Sequence, residues 1–315
     1  MRFTNLLPLL PLLLACSAPD GAPERITIPR GAGVRTIADT LDARGLVSSP
    51  RWFRTYVALR GMDRSLKAGV YDLPRGLSVP ALAERLATGQ PATQPFTLFE
   101  GWMLAEVVEG AERNLGIAAA DFEAATRSYE LRQRVGTQHE TLEGYLYPTT
   151  YQVRIGATAL EVVTQVVEEF ERHWLPHWTE RAATIGMTRD QVVVLASIIE
   201  GEVRHDRDRP YVASVYHNRL REGWRLQADP TVIFALGRRR RLFERDYQTR
   251  SPYNTYLIDG LPPGPIGQPS APSLQAALYP ARTDFMFFVA RNDGWHVFTR
   301  TLREHLAAIR EVRGR

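Results

Sequence analysis

Apolar and polar positions alternate along this chain with two periods, and the changes between them mark its elements. Arg25 to Arg30 alternates as a half-buried strand does, Gly31 to Gly33 follows as a turn, and Val34 to Leu41 places Ile37, Ala38 and Leu41 on one helical face. Pro50 to Leu59 predicts a second helix, KAGVYDLPRG from Lys67 a strand and turn, and Val79 to Leu86 a third helix. A strand over Gln94 to Phe99 leads into Glu100-Gly101-Trp102, then helices over Leu104 to Asn114 and Ala118 to Arg127. Ala157 to Leu175 is a long amphipathic helix with Leu160, Val163, Val166, Val167 and Phe170 near one stripe. Ser273 to Leu278 predicts a short helix. Phe285 to Ala290 and His296 to Phe298 predict a hairpin across Asn292-Asp293-Gly294, and Thr301 to Val312 a closing helix.

One segment carries candidate chemistry. Val192 to Val203 is an apolar helical run that ends on two carboxylates, Glu200 and Glu202. Helical side chains lean toward the N-terminus, so Glu200 is expected over Ala196 and Ser197, small residues that leave room for a ligand. Desolvation there makes Glu200 a candidate general acid. Glu202 lies roughly 200° further round the helix, so the two carboxylates need not share a site. An amphipathic helix ending in solvated glutamates fits this segment equally.

Further on, VASVYHNRL, WRLQADPTVIFALG and SPYNTYLIDGLPPGPIGQPSAPSLQAALYP embed polar groups among apolar ones. Asn218, Arg219, Gln227, Asp229, Asn254 and Tyr256 must be hydrogen-bonded if buried, so they brace loops or face a polar ligand. Upstream, LEGYLYPTTY places Tyr145, Tyr147 and Tyr151 at roughly alternate positions beside Glu143. The tyrosines form either a strand face packed on the core or a platform for sugar rings.

These five separated motifs, which follow one another along the chain in the family's order, resemble the MltG/YceG-type endolytic murein transglycosylases over about Arg25 to Ile309. The resemblance implies that Glu200 is the catalytic acid/base. Glu202 matches the second glutamate of the family's A-S-I-[IV]-E-K-E segment, and Gly201 replaces its usual lysine. Asp208 stands where a glutamate is usual. Asn218 and Arg219 match N-R-L, Gln227 and Asp229 match L-Q-x-D-P-T-V, and Tyr253, Asn254 and Tyr256 match S-x-Y-N-T-Y. Gly260 to Pro269 matches the G-L-P-P-G-P-I-x-x-P loop. The aromatic density around Glu143 adds it, in contact with substrate or one layer behind, and Tyr145 to the expected substrate-binding set. The implied fold is α+β, with a small LysM-like module over residues 25–93 and a larger mixed α/β catalytic domain over 94–315.

The implied reaction cleaves the β-1,4 bond between N-acetylmuramic acid and N-acetylglucosamine in nascent peptidoglycan strands. The sugar's own C6 hydroxyl attacks, giving 1,6-anhydro ends and terminating elongation beside the synthases. One glutamate then suffices as acid and later base. A lipid-anchored, non-catalytic glycan-binding scaffold is the alternative, and hydrolysis by water would differ only in product.

Composition agrees with an exported two-domain protein. At 315 residues and 44% hydrophobic the chain can bury a sizeable core. The net charge of +4 suits an anionic envelope and is too diffuse for nucleic acid. The Arg238 to Arg241 patch is either a solvated loop or a contact for lipid headgroups or acidic glycan groups. Met1 and Arg2 precede an apolar run, Leu6 to Leu14, too short for the about 20 residues that span a bilayer. Cys16, the sole cysteine, closes the run as in a lipobox, so residues 1–16 are expected to be a signal peptide with lipidation, or an uncleaved membrane anchor, and 17–24 a tether. The expected location is the bacterial envelope, on the cytoplasmic membrane facing outward. No metal or cofactor motif is recognisable: there is no H-E-x-x-H, His173 and His177 flank a helix-breaking Pro176, and Gly31-Ala32-Gly33 lacks a dinucleotide context. No G-x-S-x-G elbow is present either.

Overall fold

The computed structural model describes residues 22–314. Cys16 and the apolar run before it lie outside these residues. The chain divides into two units, one holding the residues up to Thr93 with Arg154–Gly156, the other Gln94–Val153 and all that follows Gly156.

The smaller unit runs β1 (Glu24–Ile28), α1 (Val34–Ala43), α2 (Pro50–Leu59), β2 (Gly69–Leu73) and α3 (Val79–Thr88). β1 and β2 pair antiparallel, with Ile26 opposite Tyr71 and Arg25 opposite Asp72. The alternation sends Ile26, Ile28, Tyr71 and Leu73 inward onto Leu41, Phe53 and Leu82. Arg25 and Asp72 form an ion pair of 2.8 Å on the outer face. Ser49 and Ser78 cap α2 and α3, each with a proline in the first turn. The first strand stops at Ile28, short of the expected Arg30, because Pro29 has no N–H to continue a ladder.

The larger unit continues with β3 (Thr93–Thr97), α4 (Leu104–Leu115), α5 (Ala119–Thr126), α6 (Tyr129–Val135), β4 (Thr150–Arg154), α7 (Ala159–His173), α8 (Pro176–Thr184) and α9 (Arg189–Glu202). After it come α10 (Arg209–Arg221), α11 (Asp229–Ala235), α12 (Ala271–Leu278), the hairpin β5 (Phe287–Ala290) and β6 (His296–Thr299), and α13 (Leu302–Arg313). With β3 on β4 and β5 on β6 as separate two-stranded sheets, the fold is α+β. No single helix among the described residues is long and apolar enough to cross a membrane.

α9 is the central element of this unit. Every residue from Val192 to Ile199 is buried, as expected of a helix that is apolar all round, and α8, α10, α11 and α12 pack against it. Thr188 starts it with a reciprocal cap to Gln191, the residue just before the apolar run. The helix also runs on through Glu202, which decides the fate of its two carboxylates.

Candidate active site around Glu200

Glu200 leaves the last full turn of α9 toward α10 and the start of α12. Its Oε1 accepts from Arg209 Nη1 at 3.0 Å, and its Oε2 accepts from the Ser270 backbone N–H at 2.8 Å and from Ser270 Oγ at 2.5 Å. Arg209 opens α10 ahead of Pro210, and its Nε donates to Asp206 at 2.9 Å while Nη1 also donates to Ser273 Oγ. Only 6% of the Arg209 side chain and 5% of that of Glu200 are exposed. Burial works to lower the Arg209 pKa, but Glu200 and Asp206 outweigh it and hold the guanidinium charged.

This is not the bare apolar wall expected from the sequence. The space over Ala196 and Ser197 is filled: Ile266 N–H donates to Ser197 Oγ at 3.0 Å, and both small residues are buried. Their size admits the loop backbone rather than a ligand. Reciprocal main-chain bonds then tie that loop to the segment before α4. Gly101 N–H donates to Gln268 O at 2.8 Å, and Gln268 N–H to Trp102 O at 2.9 Å. A Cβ on Gly267 would lie 2.7 Å from Gly101 O, and one on Gly101 would lie 3.6 Å from Glu200 Cγ. Beside this seam Phe99 is 55% exposed, its ring 4.9 Å from that of Trp102. The neighbouring Glu100 carboxyl is raised in pKa by partial burial and by the charge of Glu200.

Glu143 reaches this seam through an intermediary. Its carboxyl accepts from Leu104 N–H at 3.1 and 2.9 Å and from Gln268 Nε2 at 2.5 Å, while Gln268 Oε1 accepts from Leu146 N–H at 3.0 Å. Desolvation outweighs these donors and pushes Glu143 up to about 8. Tyr253, half-buried nearby, is raised by burial and by the charge of Glu143.

Glu202 points elsewhere. It accepts from Tyr216 Oη at 2.7 Å and is pushed up to about 7 by burial, with Asp229 adding to the shift. Asp229, the first residue of α11, in turn accepts from Tyr256 Oη at 2.7 Å and Tyr247 Oη at 3.4 Å. Gly201 makes this arrangement compact: a Cβ there would lie 2.7 Å from Pro230 Cβ. Gln227, two residues before Asp229, has φ 49° and is the only non-glycine residue of positive φ among the described residues. Its backbone N–H donates to Thr255 O at 3.1 Å, and its side chain is exposed.

The remaining expected site residues are bound to the protein itself. Asn218 Nδ2 donates to Thr283 O and Phe285 O, Arg219 to Met286 O and Leu226 O, and Asn254 Nδ2 to Tyr247 O and Thr249 O. These three, buried, brace loops. Asp208 similarly anchors His296, accepting from its N–H at 2.8 Å. Tyr145 is fully buried against Phe170, and its hydroxyl donates to Asp190 at 2.5 Å, so it offers no platform to a sugar. The three tyrosines do not share a strand, since β4 begins only at Thr150; Tyr147 stacks on His173 instead. Within the Arg238 to Arg241 patch, Arg239 pairs with Glu106 at 2.8 Å and donates to Gly101 O, and Arg240 grips Asp246. Among the described residues, no group of three or more His, Cys, Asp or Glu side chains is placed to hold a metal ion.

The sequence reading missed Arg209, Ser270, Gln268 and Phe99. Arg209 does follow Glu200 by nine residues across a polar turn, a visible signal. Ser270 and Gln268 act across 70 and 125 positions that no local pattern reveals, and the exposure of Phe99 is visible only in the fold.

Comparison with known proteins places this chain among relatives. Residues 26–311 match the model of the YceG-like family. A curated relative from Bacillus subtilis (strain 168), described as an endolytic murein transglycosylase, is 31% identical over 296 residues, which is 89% of this chain and 82% of the relative. One of the same description from Streptococcus pneumoniae serotype 2 (strain D39 / NCTC 7466) is 26% identical over 84% of this chain, which spans only 54% of that relative. A crystal structure of the yceG-like protein lmo1499 from Listeria monocytogenes superposes with a TM-score of 0.62 at 29% identity, covering 90% of this chain and 98% of the other.

Proposed function

Since the chain belongs to the YceG-like family, we propose that it is a lytic transglycosylase of peptidoglycan with Glu200 as its acid and base. Its substrate on this reading is the uncrosslinked glycan strand. The bond broken joins C1 of N-acetylmuramic acid to O4 of N-acetylglucosamine. Glu200 gives its proton to the leaving O4 as the C1–O4 bond breaks, and positive charge develops on the sugar ring. The Glu200 carboxylate then takes the proton of the C6 hydroxyl as O6 bonds to C1, so the strand ends in a 1,6-anhydro sugar and no water is added.

The observation that supports this most is the set of donors on Glu200. Arg209, Ser270 N–H and Ser270 Oγ are all aimed at its carboxyl oxygens before any substrate arrives. They favour the charge that appears when the acid gives up its proton, at no cost of reorganisation in that step. Phe99 and Gln227, exposed and not used in the interior, are the surfaces best suited to a sugar. Glu143 acts through Gln268, and Glu202 and Asp229 fix α11, so these position the site rather than touch the reacting atoms. The smaller unit serves as a LysM-like module. Anchoring through Cys16 at the cytoplasmic membrane, beside peptidoglycan synthases, completes the proposal and would end nascent strands.

The test is product analysis by mass spectrometry with uncrosslinked glycan strands. Internal 1,6-anhydro ends from the full chain, absent with Glu200→Gln, support the proposal. Hydrated reducing ends would make it a hydrolase, and the absence of products from either protein would favour a non-catalytic glycan binder.

A further inference from the structure

A cavity of about 1130 Å³ opens at the other end of α9, lined by the first turns of that helix, by α10 and by residues Gly260 to Pro263. None of its lining residues touches Glu200. Its walls mix apolar side chains such as Met187, Val194 and Leu261 with three guanidinium groups, Arg181, Arg221 and Arg282.

The cations lack matching acids. Of the two carboxylates in the lining, Asp190 is committed to Tyr145 and Thr137, and Asp284 to Arg300 at 2.6 Å. Arg181 donates only from Nε, to Leu278 O, and its guanidinium lies 5.0 Å from the centre of the Tyr279 ring, with no acid beside it among the described residues. Arg221 donates to Asn218 Oδ1 and lies 3.6 Å from an exposed Glu222, a pairing worth little in water. Arg282 has no hydrogen-bond or ion-pair partner among the described residues. His217 reports the convergence: burial first, then the charges of Arg181 and Arg221, push its pKa down. Its Nε2 lies 2.8 Å from Ala277 O, which fits the N–H tautomer at that nitrogen. The cavity therefore presents positive charge and an apolar floor, the chemistry of a site for an anion with aliphatic parts.

We propose that this cavity binds the carboxylate-bearing peptide that hangs from the glycan strand, with Arg221 and Arg282 as its carboxylate contacts. The inference rests on the glycan reading of Glu200 and names a second part of the same substrate. Reach supports it. Val194 and Gln191 precede Glu200 by six and nine residues, an axial offset of about 9–14 Å, and an extended peptide of four residues spans about 13–14 Å. The structure also links the two places, because one loop lines the cavity at Leu261 to Pro263 and holds Glu200 at Ser270. Peptide occupancy thus selects which strands are presented to Glu200.

The experiment compares the full chain with Arg282→Glu and with the double variant Arg221→Gln, Arg282→Gln. Each is assayed on strands that keep their peptides and on strands stripped of them by an amidase. A free tetrapeptide of the same composition is titrated calorimetrically onto each protein, and binding of anionic vesicles is measured alongside. We expect KM to rise about tenfold on peptide-bearing strands, kcat to hold, and no change on stripped strands, with tetrapeptide binding lost in both variants. Equal effects on both substrates, or none on either, would overturn the proposal. So would variants that bind tetrapeptide normally but lose vesicle binding, which would assign the cations to lipid. If the wild type cleaves nothing, the transglycosylase reading fails separately, and the tetrapeptide titration still decides the site.

Discussion

Arg209 and Glu200 form an ion pair of 3.0 Å with 6% and 5% of their side-chain surfaces exposed, so each is the other's main compensation for leaving water. Breaking a buried pair from one side leaves an uncompensated charge, at about 3–5 kcal/mol. Arg209→Ala should therefore lower the urea midpoint sharply, and Arg209→Lys should recover part of the loss. It should not recover all of it, because a lysine cannot bond Glu200, Asp206 and Ser273 together. A midpoint unchanged in Arg209→Ala would mean that the pair does not form in solution.

Glu143 and Glu202 predict a stability that falls with pH. Each has its pKa raised on folding, from 4.5 to about 8 and about 7. Between the unfolded and folded values the native state holds the extra proton. Their contribution is thus fully present below about pH 4.5 and lost as pH climbs through 7 and then 8. Each carboxyl adds a slope of about 1.4 kcal/mol per pH unit inside its window. Between pH 7 and 8 only Glu143 still contributes, so Glu143→Gln should flatten that interval and roughly halve the slope from 5 to 7, where Glu202 alone remains. Urea midpoints at pH 5, 6, 7, 8 and 9 for both proteins check this, and parallel curves throughout would contradict it.

Gly201 sets a trap for a substitution that resemblance alone would call safe. Lysine is usual at this place in the family, and alanine is better than glycine in a helix by about 1 kcal/mol. Yet a Cβ here would meet Pro230 Cβ at 2.7 Å and Cγ at 2.8 Å. Gly201→Ala and Gly201→Lys should both destabilise, by about 1–3 kcal/mol, as α11 is pushed off α9. Thermal unfolding that moves upward in Gly201→Ala would show that Pro230 yields freely.

Phe99 should separate binding from folding. Its ring is 55% exposed, so Phe99→Ala should change stability by no more than about 0.5 kcal/mol. As a sugar-stacking surface worth about 1 kcal/mol, its loss should raise KM roughly fivefold with kcat little altered. A fall in kcat alone would place it in loop closure instead.

Local elements were legible in the sequence because their causes are local. Ser49-Pro50 and the apolar spacing of Phe53 and Val57 define α2 to the residue, and the apolar run of α9 announces a helix, though not that it is buried all round. What lies between elements was not. Glu143 and Gln268 are 125 positions apart, and the bond between them leaves no periodic trace. The polar residues of the three downstream motifs were visible as groups that need partners, but not whether a ligand or a backbone carbonyl supplies them. For Asn218, Arg219 and Asn254 the partners are carbonyls.

The seam between residues 99–102 and 266–270 is stitched by main-chain atoms, Gly101 to Gln268 and Gln268 to Trp102. Such a seam is indifferent to which side chains it carries, except at Gly267, where a Cβ would stand 2.7 Å from Gly101 O, and at Gly101, whose φ of 70° strains any other residue. Mutation can therefore sample new surfaces at Phe99 and Glu100 without disturbing the frame that aims Glu200. On the proposed reading of Glu200 as the acid, a preference among substrates can drift at this surface over generations while the group that does the chemistry stays held in place.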